Sequence, residues 1–382
     1  MKRREKLLFI SGTLPKDGYG SHIIFLRHLI GLEEAGYDIC VASRDRWLES
    51  KPNGMPNSWQ TIKIPDRKAF WLPARASSKL SMSLRFRAQA SHVLARIDRD
   101  TVKAILTNVW DHYCGVAAVA AERLSVPLHV FVHDDPVSWA TVNGSNANYV
   151  KWRSHFALSR ADKIFSVSQR LSNALNCDRF PGHELIRPIP AKNDSRIRSD
   201  PFSEKPVLGF MGKVYPGAEE TLKNLADRLN LIGGTLVIVT DKKFHALLNR
   251  PNIVVREPFE TAFEAKNYLL SKVSALVVAY PKEIKSQDQT AILVDNFPSK
   301  VLEYVEMGLP ILLIAPQATE AYDFSRSEEL LFAEPGNDAK LDQVLSAIAI
   351  RESYNRAQNT IQTVQTKYSF ESINERLVRS IG

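Results

Sequence analysis

Asp295 and Glu303 stand with seven residues between them in the stretch VDNFPSKVLEYVEMGLPILLI, residues 294–314. Pro298 is tolerated in the first turn of a helix, and Gly308 followed by Pro310 stops one just before an apolar strand. The spacing predicts a helix opening at Pro298–Ser299, with Asp295 in the polar turn before it and Glu303 inside it. Unsatisfied backbone amides near 297–300 and the helix dipole attract a phosphate, and Lys300 adds positive charge. A carboxylate beside such an anion site is costly unless it has neutral donors to bind. Sugar hydroxyls are such donors, so Asp295 and Glu303 could grip two sugar rings flanking a diphosphate. The plain alternative is a helix start carrying an ordinary i,i+3 pair between Lys300 and Glu303.

Three other stretches carry residues with chemical capacity. In FISGTLPKDGYGSHIIFLRHLI a strand ends at Ser11, and Gly12, Gly18 and Gly20 lie in a loop before a helix bearing Ile23, Leu26 and Ile30. Glycines there let amides approach a phosphate or sugar, or simply supply positive φ in an ordinary loop. Ile23 falls where a third glycine would complete the dinucleotide fingerprint, which therefore fails. In HVFVHDDPVSWA, His133 follows a buried type of strand directly, and the carboxyl ends of parallel strands form ligand crevices. His133 is placed to contact a substrate or donate a hydrogen bond at a reacting centre; the alternative is a histidine ending a strand and aspartates making a turn. In PVLGFMGKVYPGAEE, Gly212 and Lys213 follow another such strand, where a cation can neutralise a diphosphate or merely face solvent.

The elements that must position these residues follow from apolar runs alternating with helical stretches. Strands are expected at 7–10, 39–42, 104–106, 128–132 and 164–167, then at 207–211, 236–239, 253–255, 276–279 and 311–314. Continuous Val/Ile/Leu runs between helices imply parallel strands buried on both faces. Two such sets in succession imply two doubly wound α/β domains. The Pro-, Ser- and charge-rich stretch 181–206 reads as the linker. The final YSFESINERLVRSIG opens with Ser369 as a cap and continues as a helix.

At 382 residues the chain exceeds one ordinary core. Its 44% hydrophobic and 24% charged residues place it with soluble globular proteins. The basic, then apolar start MKRREKLLFISG is too short for a signal peptide and reads as a first strand. Three scattered cysteines, Cys40, Cys114 and Cys177, suggest neither a disulfide framework nor a metal site, so a reducing, cytoplasmic compartment is expected. The formal net charge of +8 is uneven: residues 1–200 hold 30 Lys/Arg against 19 Asp/Glu, residues 201–382 hold 20 against 23. The basic half suits an anionic partner: a phospholipid surface, a polyphosphate carrier or a nucleic acid.

FPSKVLEYVEMGLPILLIAP resembles the donor-site signature of GT-B-fold glycosyltransferases, in particular the retaining family-4-like enzymes. These carry two acids seven residues apart followed by Gly-x-Pro; here they are Asp295, Glu303 and Gly308-Leu-Pro310. Pro-Ser-Lys-x-x-Glu-Tyr matches residues 298–304 at every specified position. The likeness extends to the glycine loop at 12–20, to His133, and to DKIFSVSQRLSNAL, GFMGKV and LLFAEPGN. It implies two Rossmann-like domains facing across a cleft, with 1–190 on the acceptor side, 191–360 binding a nucleotide-sugar, and a helix in 361–382 crossing back. It also implies roles: Glu303 on a ribose, Asp295 on the transferred sugar, Lys213 on the departing diphosphate, and amides around Pro298, Ser299 and Lys300 on phosphate oxygens. His133 would lie at the reacting sugar, Gly212 beside the donor, and the loop of Gly18 and Gly20 would close over it.

The resemblance further implies sugar transfer with retention and without a bound metal or other cofactor, the donor's base (uridine, guanosine or adenosine) being open. Three positions differ from the pattern. The first acid is Asp, Pro-Ser replaces a Gly-hydrophobe pair, and a usual second cation falls on Ala218, for which Lys300 is a candidate substitute. A sugar-nucleotide epimerase of the same fold and a non-catalytic, membrane-associated scaffold remain the alternative functions.

Residues 44–88 hold ten Lys/Arg and three Asp/Glu interleaved with Trp47, Trp59, Phe70, Trp71 and Phe86. Arg67, Lys68, Trp71, Arg75, Lys79, Arg85 and Arg87 are the candidates for an acceptor or membrane surface, with Leu80, Leu84 and Ala88 as an apolar helical stripe. A glycan or lipid-linked acceptor is expected there, and no nucleic acid, since no motif for one is present. The alternative is a solvated helix that packs that stripe on its own domain.

Overall fold

The computed structural model describes residues 4–17, 20–44, 54–65, 79–192, 200–245, 250–284 and 293–382. Of the candidate residues, Gly18, Arg67, Lys68, Trp71 and Arg75 lie outside the described residues. The chain divides into two units, one of residues 1–189 with 373–382 and the other of residues 190–372.

In the first unit, strands β1 (Lys6–Ile10), β2 (Asp38–Arg44), β3 (Gln60–Ile64), β4 (Val102–Asn108), β5 (Leu128–Val132), β6 (Lys163–Ser166) and β7 (His183–Leu185) form one parallel sheet. Its order is β3-β2-β1-β4-β5-β6-β7, so the winding reverses between β1 and β4. The runs LLFI and LHVFV are buried along their whole length, as strands covered on both faces must be. The helices are α1 (Ser21–Glu34), α2 (Lys79–Leu94), α3 (Tyr113–Leu124), α4 (Pro136–Val142), α5 (Ala147–Leu158) and α6 (Gln169–Leu175). β7 and the chain up to Ile189 belong to this unit, so the expected linker begins later than residue 181.

Two helix faces differ from their sequence reading. α1 buries Ile24, Phe25, His28, Leu29 and Leu32, while Ile23 and Ile30 are only half-buried. α2 buries Met82, Phe86, Ala90 and Val93. Gly115 of α3 is needed there, because a Cβ would lie 2.3 Å from the Phe86 ring. The expected stripe is not the packing face: Leu80 is 73% and Leu84 46% exposed, with Ala88 half-buried. A helix with apolar residues on two faces can bury only the one that meets α3, and Phe86, the larger group, decides it.

The second unit holds β8 (Val207–Met211), β9 (Thr235–Val239), β10 (Ile253–Arg256), β11 (Ala275–Ala279), β12 (Ile311–Ile314) and β13 (Leu331–Ala333), parallel and ordered β10-β9-β8-β11-β12-β13. The reversal falls between β8 and β11. Its helices are α7 (Ala218–Leu231), α8 (Ala262–Lys272), α9 (Ser299–Glu306), α10 (Glu320–Ser327), α11 (Asp338–Ile348) and α12 (Arg351–Lys367). Its core joins Leu208, Phe210, Leu222, Leu225, Val277, Leu312 and Leu345. The Tyr354 hydroxyl on α12 donates to the Ser274 carbonyl at 2.8 Å, fastening that helix beside β11.

The last helix, α13 (Phe370–Ile381), starts behind Ser369, whose hydroxyl accepts from the Ser372 amide at 3.0 Å. From residue 373 it belongs to the first unit, while residues 361–372 stay with the second. Asn374 donates to the Gly31 carbonyl, Arg376 to the Leu185 carbonyl and Ser380 to Glu184.

Candidate functional site

In the second unit the chemistry gathers where the strand order reverses, the place at which open α/β sheets bind ligands. β8 ends at Met211, and Gly212 turns the chain with φ 100, a conformation open to glycine. Lys213 follows and is exposed. α9 begins beside this turn with Pro298 as its cap residue, and no side chain caps its first amides. Asp295 is half-buried in the turn before it.

Lys300 reaches back to the turn. Its Nζ donates to the Lys213 carbonyl at 2.8 Å and lies 4.6 Å from the centre of the Phe210 ring and 5.5 Å from that of Tyr215. A Cβ on Gly212 would come within 2.9 Å of its Cε, so glycine serves both the turn and the lysine. The stem of Lys300 is only half-buried, but its ammonium is enclosed. Burial first, and the Lys213 charge second, push its pKa down to about 7. Gly212, Lys213, Lys300 and the start of α9 with Pro298 and Ser299 therefore come together as one cationic corner.

The i,i+3 pair between Lys300 and Glu303 does not form. Glu303 instead meets Lys266 of α8 at 2.5 Å, and Lys266 is buried. Lys266 stands on the packing face of α8 between Ala265, Leu269 and Leu270. A lysine at that spacing was the one signal that could have revealed it in the sequence. The second residue passed over is Tyr304, the end of the Pro-Ser-Lys-x-x-Glu-Tyr run. It is fully buried, and its hydroxyl accepts from the Met211 amide at 2.8 Å, tying α9 to the end of β8. Ala218, at the place of a second cation, is the first residue of α7 and is buried.

The first unit gathers a second set at its own reversal point. Gly20, with φ 67, precedes α1; among the described residues nothing lies within 4 Å of where its Cβ would be, so backbone conformation rather than close approach calls for glycine. Gly12 is the opposite case, because a Cβ there would strike the Asp111 carboxylate. His133 follows β5 and is 8% exposed, stacked on Phe25 at 4.6 Å and edge-on to His28 at 5.9 Å. Among the described residues neither of its ring nitrogens has a hydrogen-bond partner. Burial lowers its pKa to about 3, so His133 is a neutral donor and acceptor and not a proton-transfer base. Asp134 accepts from the Ser21 hydroxyl at 3.0 Å, joining the end of β5 to the start of α1. Asp135 caps α4 through the Val137 and Ser138 amides.

On α2, Lys79 and Arg87 are exposed and Arg85 half-buried, around the exposed Leu80 and Leu84. Among the described residues no group of three or more His, Cys, Asp or Glu could hold a metal ion, and no helix is long and apolar enough to cross a membrane. Cys40, Cys114 and Cys177 are free and buried, their thiols pushed up to about 12 by burial.

Residues 20–191 match the glycosyl transferase 4-like domain. A comparison of the sequence with curated proteins gives no match. Among solved structures, Anabaena HepE in complex with UDP and glucose is similar with a TM-score of 0.64 at 12% identity, covering 99% of each chain. WaaG, a glycosyltransferase involved in lipopolysaccharide biosynthesis, is similar with a TM-score of 0.60 at 12% identity, covering 98% of this chain and 99% of its own. A UDP-glucose:anthocyanidin 3-O-glucosyltransferase with UDP bound gives 0.58 at 12% identity, covering 100% and 99%. The two parallel sheets are those of the GT-B fold seen in these glycosyltransferases, and residues 20–191 of the first unit are similar to the glycosyl transferase 4-like domain.

Proposed function

We propose that the protein transfers a sugar from a nucleoside-diphosphate donor, held by the second unit, to a glycan or lipid-linked acceptor met by the first. The observation that carries this reading is the cationic corner at the end of β8. Lys213, Lys300 and the uncapped amides of α9 converge there, with Glu303 one turn into the helix. Such a corner suits a leaving diphosphate, since fixed positive charge stabilises negative charge as it develops. Glu303, oriented by Lys266, accepts from the ribose, and Asp295 from the transferred sugar. Uridine is the base best supported, because HepE and the anthocyanidin enzyme were both solved with UDP.

In the reaction the bond from the anomeric carbon to the diphosphate oxygen breaks, and a bond from that carbon to the acceptor oxygen forms. The acceptor's proton leaves to a phosphate oxygen. Configuration is retained and no sugar is attached to the enzyme. The diphosphate's charge is met by Lys213, Lys300 and the α9 amides without a resident metal, so activity in EDTA should match that in its absence. The acceptor side fits a cytoplasmic enzyme that touches an anionic membrane through Lys79, Arg87, Leu80 and Leu84 of α2. Co-sedimentation with phosphatidylglycerol vesicles, abolished in a Leu80→Glu, Leu84→Glu variant, checks that part.

The main test is calorimetric titration with UDP, GDP and ADP. One of them should bind, about tenfold or more weaker in Lys213→Ala and in Lys300→Met, the loss expected for a charge-assisted contact. Binding of none would remove the donor site. Consumption of a UDP-sugar in the absence of any acceptor, with an isomeric UDP-sugar as product, would favour an epimerase.

A further inference from the structure

Among the described residues Lys266 is the only buried lysine, 5% exposed on the apolar face of α8. Its ammonium meets the Glu303 carboxylate at 2.5 Å, and that side chain keeps 19% of its surface open. Burying such a pair gains little stability, since apolar side chains of similar volume often pack there as well or better. A lysine in this place therefore asks for another reason. Both partners are clamped to the same strand. A Cβ on Gly209 of β8 would come within 3.0 Å of Val273 and 3.3 Å of Leu269, so α8 lies tight against β8. The start of α8 is fixed by the reciprocal cap between Thr261 and Glu264. On α9 the residue after Glu303, Tyr304, accepts from the Met211 amide at the end of β8. The ion pair is thus a strut between two helices that cannot easily move, and it stands one turn from the cationic corner.

We propose that Lys266 is a positioning residue that makes the donor site select ribonucleoside over deoxyribonucleoside diphosphates, by holding the Glu303 carboxylate where it accepts from a ribose hydroxyl. The proposal rests on the donor reading above. A glutamate has three rotatable bonds, and ordering them on the ligand costs freedom that binding must supply. Lys266 orders the carboxylate before the ligand arrives. A carboxylate accepts about four hydrogen bonds, so engaging the ammonium still allows it a hydroxyl. A deoxyribose puts a C–H where that hydroxyl would donate, and the held oxygen then faces no donor. A site built around a hydroxyl rejects the analogue lacking it far more strongly than an apolar pocket rejects a missing methylene. Rigidity is what creates the difference. A glutamate without its strut would swing back to water, and the deoxy analogue would cost it nothing.

The test is calorimetric titration of the full chain with UDP, GDP and ADP and with the 2′-deoxy and 3′-deoxy analogue of each. The wild type should bind at least one ribonucleotide about tenfold or more tighter than one of its deoxy analogues. In Lys266→Met that ratio should fall to within about threefold, chiefly because the ribonucleotide weakens. Lys266→Met combined with Glu303→Gln removes both charges, which keeps the measurement possible if the single variant does not fold, and it should show the same narrow ratio. Melting temperatures confirm folded protein. A pair that serves stability alone predicts a lower melting temperature in Lys266→Met with the ratio unchanged in both variants, and that result would overturn the proposal. So would a wild type that binds a ribonucleotide and its deoxy analogues equally, although the cationic corner would then stand as a diphosphate site. A wild type that binds no nucleoside diphosphate removes the donor reading itself, and the proposal with it.

Discussion

Lys300 is a cation whose charge is conditional. With its pKa near 7, the amine is neutral in much of the population at pH 8 and charged at pH 6. A diphosphate favours the charged form, so binding above pH 7 takes up a proton. UDP affinity is expected to fall by up to about tenfold per pH unit above 7, and Lys300→Met should flatten the profile; calorimetry in buffers of different ionisation enthalpy reads the proton directly. Glu303 calls for a different caution. Removing it leaves Lys266 buried without its anion, a change costing about 3–5 kcal/mol where such pairs are fully buried. Glu303→Ala should therefore lower the urea midpoint markedly, and Lys266→Met in the same chain should restore part of it. The places of Asp295 before a helix start, Glu303 inside that helix and Lys213 just past a strand were readable from residue type and spacing, while the roles offered for them come from the family resemblance. The partner of Glu303 was not, since Lys266 lies 37 positions upstream on another helix and only the fold brings it near.

Single helices show where pattern suffices and where it misleads. α9 is placed by Pro298 at its start and Gly308 at its end, and both boundaries were visible. Its attachment was not: the Tyr304 hydroxyl reaching the Met211 amide is a tertiary contact. Tyr304→Phe should cost about 1 kcal/mol in denaturant unfolding and weaken UDP binding by loosening the helix start against Gly212. On α2 the order of residues offered two apolar faces, and only the neighbouring α3 decides that Phe86 goes in and Leu80 stays out. On α1, Gly31 sits mid-helix, where alanine would ordinarily be about 1 kcal/mol better. Here a Cβ would lie 2.3 Å from Asn374 Oδ1 of α13. Gly31→Ala should therefore destabilise, and Asn374→Ala combined with it should recover the loss, a coupling that a double-mutant cycle measures.

Over the whole molecule, the alternation of apolar runs gave ten strands of the two parallel sheets, because strands covered on two faces can hardly be anything but Val, Ile, Leu, Phe and Ala, whereas the order of the strands, and so the place where each sheet reverses, is set by tertiary pairing. Short strands such as β7 and β13, three residues each, carry too little pattern to announce themselves. The first unit also buries several histidines as neutral rings. Burial lowers His28 well below its usual value, His129 to about 4 and His133 to about 3. The unfolded chain therefore takes up protons first. Stability is full above pH 6.5 and is lost as the pH falls from there toward 3–4, by up to about 1.4 kcal/mol per pH unit for each ring. Urea unfolding at pH 7.5 and 5 should show the loss, and His129→Phe should make it shallower.

The docking of α13 beside α1 means that the first unit is assembled from two segments, residues 1–189 and 373–382, separated by the whole second unit. A ribosome that has released residues 1–189 has not yet made the amide of Asn374 or the hydroxyl of Ser380 that close this surface. Until residues 370–382 have been made, the nascent half therefore waits with an unfinished flank, and a fragment cut after residue 189 keeps it permanently. Supplying residues 370–382 as a free peptide should raise that fragment's melting temperature, and the same peptide carrying Asn374→Ala should do so less.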